Sequence, residues 1–208
     1  MDRFNTIVII STWSSGSTAL TGFLHHCGAY TCPPHQKTND IRTPNAFEPL
    51  AYSDALRNLL DEATLSKKGD FNAFKSFFEE YYLKEVVKAK ELGFAAICLK
   101  HPLQIFVLPY LNNFLKPKYV FVTRPIEQIE ASRMRRKWHP VYGKQGANRL
   151  YSVAIHFLIS NSCNYLSVAY NALVGDVSVR QTLLDFCNLE PTDEMWKNSA
   201  DFLEKREM

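Results

Sequence analysis

The chain has 208 residues, of which 46% are hydrophobic and 22% are charged, and its formal net charge is +3. This composition excludes a disordered, collagenous or low-complexity chain, and so small a charge does not by itself indicate nucleic-acid binding. The five cysteines are scattered without a CxxC pair, which predicts reduced thiols rather than disulfides or a zinc site. The apolar run near the start spans only residues 7–10, too short for a signal peptide or membrane span, so we expect a cytoplasmic protein.

Short apolar runs alternate with longer helical patterns along the chain. In chain order, the patterns predict a strand over 6–11, a helix over 17–26, a short strand over 29–32 and a proline-rich loop over 33–49. They then predict helices over 48–63 and 71–92, a strand over 94–99, a helix from 102 or 103 to about 114, a strand over 118–122 and a helix beginning at Pro125. A helix over 149–162, a strand over 165–170 and helices over 177–187 and 193–205 complete the chain. This alternation predicts one α/β domain over residues 1–208, with helices on both faces of a parallel sheet of about five strands.

Small hydroxyl residues surround a glycine between the first predicted strand and helix, in the sequence STWSSGST. Its candidate anion-binding residues are Ser14, Ser15, Gly16, Ser17 and Thr18. Backbone N–H groups at a helix N-terminus favour phosphate or sulfate, and the helix dipole adds to this preference. A helix simply capped by a serine, Ser15 or Ser17, is the alternative. No Gly-Lys-Ser/Thr sequence occurs in the chain, which argues against ATP or GTP hydrolysis of the Walker type.

A second candidate anion site follows the strand predicted over residues 118–122. Arg124 falls where this strand ends, at the edge where open α/β sheets bind ligands, and Ser132 follows eight residues later. The planar guanidinium group suits phosphate, and the serine hydroxyl could contact the same anion. A surface arginine that pairs with Glu127 or Glu130 is the alternative.

Together these segments resemble the sulfotransferases that use 3′-phosphoadenosine 5′-phosphosulfate (PAPS), in particular the small bacterial type. The resemblance rests on STWSSGSTAL, CLKHPLQIFVLPYL, YVFVTRPIEQIEASRMRR and VAYNALVGD followed by VRQTLLDFCNLEP, and it spans roughly residues 6 to 190. It implies a three-layer α/β sandwich of the P-loop kinase-like type. It also implies that residues 14–18 hold the 5′-phosphosulfate and that Arg124 and Ser132 hold the 3′-phosphate. PAPS would be the co-substrate and 3′,5′-adenosine bisphosphate (PAP) the product, with a small molecule or glycan as acceptor.

One position departs from the family pattern. Ser14 stands where the family usually has Lys or Arg before Ser-Gly, a residue that neutralises the bridging oxygen or the leaving phosphate. Three lysines are candidates to replace it: Lys37, Lys100 and Lys137. Two other functions therefore stay open, a nucleotide kinase-like phosphoryl transferase and a non-catalytic nucleotide- or anion-binding protein on the same fold.

Sulfuryl transfer also needs a base for the acceptor proton, and the sequence offers two. His101 follows Lys100 at the end of a predicted central strand, and an imidazole titrates near neutral pH. Glu48 lies at the end of the proline-rich loop that would meet the acceptor. The structural alternatives are a helix-capping or core histidine and an ordinary first-turn glutamate. No metal-ligand cluster is apparent in the sequence, and the proposed reaction needs none.

Residues 124–149 carry seven Lys or Arg and two Glu, a local net charge of +5. Such a run is usually a solvated helix face, but beside Arg124 it would attract a ligand with several phosphate or sulfate groups. No recognised nucleic-acid-binding fold accompanies it, so we expect no nucleic acid partner. The acceptor pocket is expected between the loops 33–49 and 138–148.

Overall fold

The fold consists of nine strands and nine α-helices within residues 3–40 and 43–204, which the computed structural model describes. The strands are β1 (Thr6–Ile10), β2 (Ala29–Tyr30), β3 (His35–Lys37), β4 (Asn45–Pro49), β5 (Leu60–Asp61), β6 (Ser66–Lys67), β7 (Ala96–Lys100), β8 (Lys118–Thr123) and β9 (Tyr165–Ala169). The helices are α1 (Ser17–His26), α2 (Leu50–Leu59), α3 (Phe71–Glu91), α4 (Leu108–Leu115), α5 (Ile126–Arg135), α6 (Lys144–Ser160), α7 (Tyr170–Gly175), α8 (Val177–Cys187) and α9 (Asp193–Glu204). Two 3₁₀ segments, Pro102–Val107 and Pro140–Tyr142, connect them.

Five strands form a central parallel sheet in the order β2–β7–β1–β8–β9. In this register Val8 of β1 lies between Leu99 of β7 and Tyr119 of β8. All five residues of β1 are buried, as expected for a strand with a helical layer on each side. The predicted five-stranded α/β sandwich is therefore confirmed, because each predicted strand pairs in this sheet.

Alternate residues of β1 serve two separate hydrophobic cores. Ile7 and Ile9 pack with residues of α1, α8 and α9, whereas Val8 and Ile10 pack with residues of α2, α3, α4 and α6. This division follows from the two-residue repeat of a strand, which sends successive side chains to opposite faces. The result is a helix–sheet–helix sandwich, and the carboxyl ends of all five central strands lie at one edge.

The structure corrects the prediction for residues 33–63. The predicted loop contains the antiparallel pair β3–β4, and α2 begins at Leu50 because Glu48 and Pro49 belong to β4. The helix then ends at Leu59, where the backbone turns into β5 and pairs with β6. The sequence did not reveal these pairs because β3, with the sequence His-Gln-Lys, lacks the apolar alternation that marks a strand.

Smaller corrections concern helix ends. The helix predicted from Pro102 begins as a 3₁₀ segment and becomes α4 at Leu108, and α6 begins at Lys144 rather than at residue 149. Polar residues and Gly146 obscured the first turn of α6, where the glycine packs closely against the Val141 carbonyl. The strand predicted over 165–170 ends one residue earlier, because Tyr170 opens α7. The predicted helix end at Lys205 lies outside the described residues.

Two further findings bear on the expectations from composition. All five cysteines are free thiols, and four of them are buried. Among the helices of the described residues, none combines the length and apolar character needed to cross a membrane.

Candidate functional site

A cleft of about 720 Å³ lies at the carboxyl edge of the central sheet. Parallel α/β sheets bind ligands at this edge, where strand order reverses, and here β1 has β7 on one side and β8 on the other. The segments that follow β1, β7, β8 and β9 contribute to the wall, together with the β3–β4 hairpin and α5. The wall residues used below are Trp13, Ser14, Gly16, Ser17, Thr18, Lys37, Asp40, Glu48, Arg57, Glu62, Lys100, Arg124, Ser132, Arg135, Arg136, Trp138, Tyr142 and Tyr170.

The N-terminus of α1 opens into this cleft without a side-chain cap. Gly16 occupies the N-cap position with φ of 92°, a left-handed conformation that glycine adopts at little cost. Ser14, Ser17 and Thr18 line the cleft as the anion-loop prediction requires. Ser15 instead is fully buried, and its hydroxyl donates to the Thr12 carbonyl oxygen at 2.8 Å. The simple capping alternative therefore does not describe this helix. The Ala19 N–H donates to the Gly16 carbonyl at 3.0 Å, which leaves the N–H groups of Ser17 and Thr18 for an anion.

Tyr170 explains why residue 16 has to be glycine. A Cβ atom at this position would overlap the Tyr170 ring, which packs directly against the loop. The same ring stacks beneath the Arg124 guanidinium carbon at 4.5 Å from its centroid. Tyr170, just beyond β9, thus joins the candidate anion loop to the arginine, a role that sequence analysis missed because it placed Tyr170 inside the strand predicted over 165–170.

Arg124 connects the two candidate anion-binding segments that the sequence identified separately. Its Nη1 atom donates to the Ser14 carbonyl oxygen at 3.1 Å and to the Ser132 hydroxyl at 3.5 Å, while Nε donates to Gln128 at 3.1 Å. The eight-residue spacing therefore places Ser132 beside Arg124, as predicted.

The positive charge of Arg124 is not balanced by an acidic side chain in the part of the chain that the structure describes. Burial lowers the pKa of this half-buried guanidinium, which stays ionised in any ordinary solution. Glu130, one partner considered from the sequence, pairs with Arg133 instead. An unpaired, partly desolvated cation beside an uncapped helix N-terminus is suited to a phosphate or sulfate group.

Lys100 and Glu48 form a buried ion pair on the cleft wall. The Lys100 Nζ atom lies 2.5 Å from Glu48 Oε1, and it also donates to the Ala46 carbonyl at 3.0 Å and to the Thr18 hydroxyl at 3.5 Å. Lys100 is only 2% exposed and Glu48 only 7%. The contact with Thr18 brings the ammonium group to the first turn of α1, where the missing basic residue would act. Lys37 also lines the cleft, whereas Lys137 lies outside its wall.

The carboxyl group of Glu48 is held in its ionised form. Burial on its own would raise its pKa, but Lys100 and the surrounding positive groups together outweigh that effect and leave the pKa below its usual value. Glu48 is therefore a carboxylate at neutral pH and lines the cleft.

His101 occupies a different position from the one that a base requires. Its ring is fully buried and is not part of the cleft wall, and Nδ1 accepts a hydrogen bond from the Leu103 backbone N–H at 3.1 Å. Burial lowers its pKa to about 4, so the ring is neutral near pH 7. Since Nδ1 accepts, the single ring proton resides on Nε2, which therefore acts as a donor. The capping alternative describes His101, and Glu48 is the candidate base that the cleft exposes.

The basic run of residues 124–149 is divided by the fold. Arg135 and Arg136 line the cleft and both pair with Asp40, at 3.1 and 2.7 Å. Arg133 pairs with Glu130, and Arg149 donates to the Thr64 carbonyl. The positive field is thus concentrated where α5 meets the cleft rather than along one solvated face.

At the other end of the cleft lies a group of residues that the sequence analysis did not identify one by one. It expected only the loop 138–148 at this place. Glu62, just after β5, accepts hydrogen bonds from Arg57 Nε at 3.0 Å and from the Tyr142 hydroxyl at 3.1 Å. Tyr142 packs edge-to-face on Trp13, with ring centroids 4.7 Å apart. Because Arg57 lies on α2 and Glu62 in the turn after β5, without a recognisable motif, only the tertiary structure brings them together with Tyr142.

Comparison of the sequence with protein-family models found no match, and neither did comparison with curated proteins.

Proposed function

We propose that the protein is a PAPS-dependent sulfotransferase that transfers a sulfuryl group to a hydroxyl or amine of an acceptor. The single observation that carries the proposal is the link between Arg124, Ser132 and the carbonyl of Ser14. It joins two anion-binding segments about the uncapped N-terminus of α1, as a ligand with two separate anionic groups requires. The resemblance of the same segments to this family supports the assignment.

In the proposed reaction, the S–O bond to the bridging phosphate oxygen of PAPS breaks while a new bond forms from sulfur to the acceptor oxygen or nitrogen. The bisphosphate leaves with the bridging oxygen, and the acceptor proton passes to a base. First-turn N–H groups of α1 would stabilise the charge that builds on the leaving phosphate. Lys100, beside Thr18, is the cation that we assign to the role usually taken by the residue at position 14.

We assign the base to Glu48. Its ionised carboxylate lines the cleft, and its partner Lys100 is the cation assigned to the leaving group. If Lys100 turned towards the leaving phosphate, its ion pair with the Glu48 carboxylate would break. The pKa of Glu48 would then rise as the acceptor loses its proton. Negative charge on the leaving phosphate would thereby favour transfer of the acceptor proton to Glu48.

Nucleotide titration by calorimetry tests the proposal. PAP should bind more tightly than AMP, which lacks the 3′-phosphate, and more tightly than ATP without added magnesium. Transfer of labelled sulfate from PAPS to an acceptor would establish the activity. Equal affinities for PAP and AMP would remove the sulfotransferase assignment, and a clear preference for ATP would favour a phosphoryl transferase.

A further inference from the structure

We propose that the cleft end formed by Glu48, Glu62, Arg57, Tyr142 and Trp13 binds an uncharged polyhydroxylated ring, that of a neutral saccharide. Its role as the acceptor rests on the proposed function, but the binding site itself does not. Glu62 is the central residue of this subsite, which we call the polyol subsite. Three features of the described residues carry the inference: charge balance, a buried donor and an aromatic wall.

The charges of the polyol subsite cancel in pairs. Glu48 pairs with Lys100 at 2.5 Å and Glu62 with Arg57 at 3.0 Å. The other end of the cleft has three arginines, Arg124, Arg135 and Arg136, facing one carboxylate, that of Asp40. A multiply charged anion is therefore attracted to the arginine end of the cleft. The end whose charges are paired suits a neutral ligand rich in hydrogen-bonding groups.

A buried donor without a protein acceptor points between the two carboxylates. His101 Nε2 lies 3.8 Å from Glu48 Oε2 and 4.0 Å from Glu62 Oε1, and neither distance is a hydrogen bond. The atom has no hydrogen-bond partner among residues 3–40 and 43–204, although the ring is fully buried. An unsatisfied buried donor is costly, so its position calls for an oxygen atom that accepts from Nε2. A hydroxyl group meets this need and can donate its own proton to either carboxylate, whereas an ammonium group cannot accept.

Trp13 and Tyr142 form a rigid aromatic wall beside these polar groups. Their rings pack edge-to-face at 4.7 Å, and Trp138 contacts Tyr142 at 5.9 Å between centroids. Aromatic faces offer apolar area at low entropic cost, which matches the C–H face of a pyranose ring, while its hydroxyl edge meets carboxylates. The Tyr142 hydroxyl donates to Glu62, so the wall and the carboxylate are held in a fixed relation.

The test uses the full chain, with and without added PAP, and a panel of monosaccharides. The neutral members are methyl glucopyranoside, methyl galactopyranoside and methyl mannopyranoside, and the charged members are glucosamine and glucuronate. Binding is followed by saturation-transfer NMR and by tryptophan fluorescence. We expect at least one neutral glycoside to bind saturably and more tightly than either charged sugar.

Variants locate the binding site. Glu62→Gln should weaken glycoside binding about 10-fold or more, because a charged acceptor becomes neutral. Tyr142→Phe should weaken it less, since the ring stays and only the hydroxyl is lost. Glu79→Gln is the matched control, because Glu79 also accepts from a tyrosine, Tyr110, at 3.3 Å but lies outside the cleft wall. PAP affinity should be unchanged in all three variants.

The outcomes separate this inference from the proposed function. If PAP binds but no neutral glycoside does, or a charged sugar binds more tightly, the polyol subsite is refuted while the nucleotide site stands. Glycoside binding that is unaffected by Glu62→Gln also refutes it. If a neutral glycoside binds through Glu62 and PAP does not bind, the polyol subsite stands and the sulfotransferase assignment falls.

Discussion

The guanidinium group of Arg124 donates a hydrogen bond to the carbonyl oxygen of Ser14 across 110 residues of sequence. The contact is 3.1 Å long, and its acceptor is a residue with φ of 61°, in the left-handed region that a serine rarely adopts. A carbonyl that faces an arginine points away from the anion that the loop is proposed to hold. Arg124 therefore supports the loop conformation, in addition to the anion-binding role that we propose for it.

Replacement of Arg124 by alanine should weaken PAP binding much more than AMP binding. Loss of a charge-assisted contact costs about 1.5–3 kcal/mol, or roughly 10- to 150-fold in affinity. Calorimetric titration of both nucleotides measures the difference. Arg133→Ala is the control, since Arg133 lies on the same helix but pairs with Glu130 outside the cleft wall. Equal losses for PAP and AMP would show that Arg124 does not contact the 3′-phosphate.

Gly16→Ala should abolish nucleotide binding in a protein that still folds. The added methyl group would displace the Tyr170 ring and with it the stacked Arg124, besides straining the backbone at φ of 92°. Gly93→Ala separates the two effects, because Gly93 has φ of 76° but nothing within 4 Å of a new Cβ. Both variants should lose stability of about 1–2 kcal/mol from backbone strain. Binding that survives in Gly16→Ala would place the nucleotide elsewhere.

The buried pair Lys100–Glu48 should behave very differently from an exposed pair when it is broken. Lys100→Met leaves the Glu48 carboxylate buried without its partner and should destabilise the fold by about 3–5 kcal/mol. The double variant Lys100→Met/Glu48→Gln should recover part of this loss, because the stranded charge is gone. Urea unfolding measures both.

The exposed pair of Lys84 and Glu80 supplies the comparison, at 2.6 Å with side chains 65% and 70% exposed. Lys84→Met should change the free energy of unfolding much less, since water and salt screen such pairs. A double variant at the buried site that is less stable than Lys100→Met would contradict the assignment of a stranded carboxylate.

His101 should make the fold less stable in mild acid. Its pKa is lowered from 6.5 to about 4 in the folded protein. Between pH 6.5 and pH 4, His101 therefore binds a proton in the unfolded chain more readily than in the folded protein. The contribution is complete above pH 6.5 and is lost as the pH falls towards 4, by about 2–3 kcal/mol. Urea unfolding at pH 7 and 4.5 measures this loss.

Asparagine at position 101 removes the titration but can keep the cap. Its side-chain oxygen can accept from the Leu103 N–H, as Nδ1 does now. The loss between pH 7 and 4.5 should therefore shrink in His101→Asn and stay as in the wild type in His156→Asn, because His156 is exposed on α6. The same acid sensitivity in His101→Asn and the wild type would mean that other groups cause it.

The central sheet could be predicted because its strands are buried on both sides and read as continuous apolar runs. Residues 7–10 and 96–99 are fully buried, and such runs lead into helices in a regular order. The β3–β4 pair could not be predicted, because β3 is polar and partly exposed and β4, although largely buried, is a short segment without the apolar alternation of a strand.

The candidate site likewise contains residues that the sequence could predict and residues that it could not. Ser14, Gly16 and Arg124 follow strand ends, a position that topology alone assigns to the ligand edge. The choice between His101 and Glu48 depended on side-chain direction, which sequence spacing does not specify at the end of a strand. Glu62 has no sequence signal at all, because its partners Arg57 and Tyr142 meet it only in the folded chain.

The central place of β1 affects how the protein emerges from the ribosome. Strand β1 is synthesised before β7 and β8, so both of its neighbours in the sheet exist only after residue 123 has been added. Until then the loop after β1 lacks the complete sheet that positions it. The pairing of β1 with β7 alone joins residues about ninety positions apart. A nascent chain of this protein therefore extends to residue 123 before its buried central strand has a neighbour on both sides.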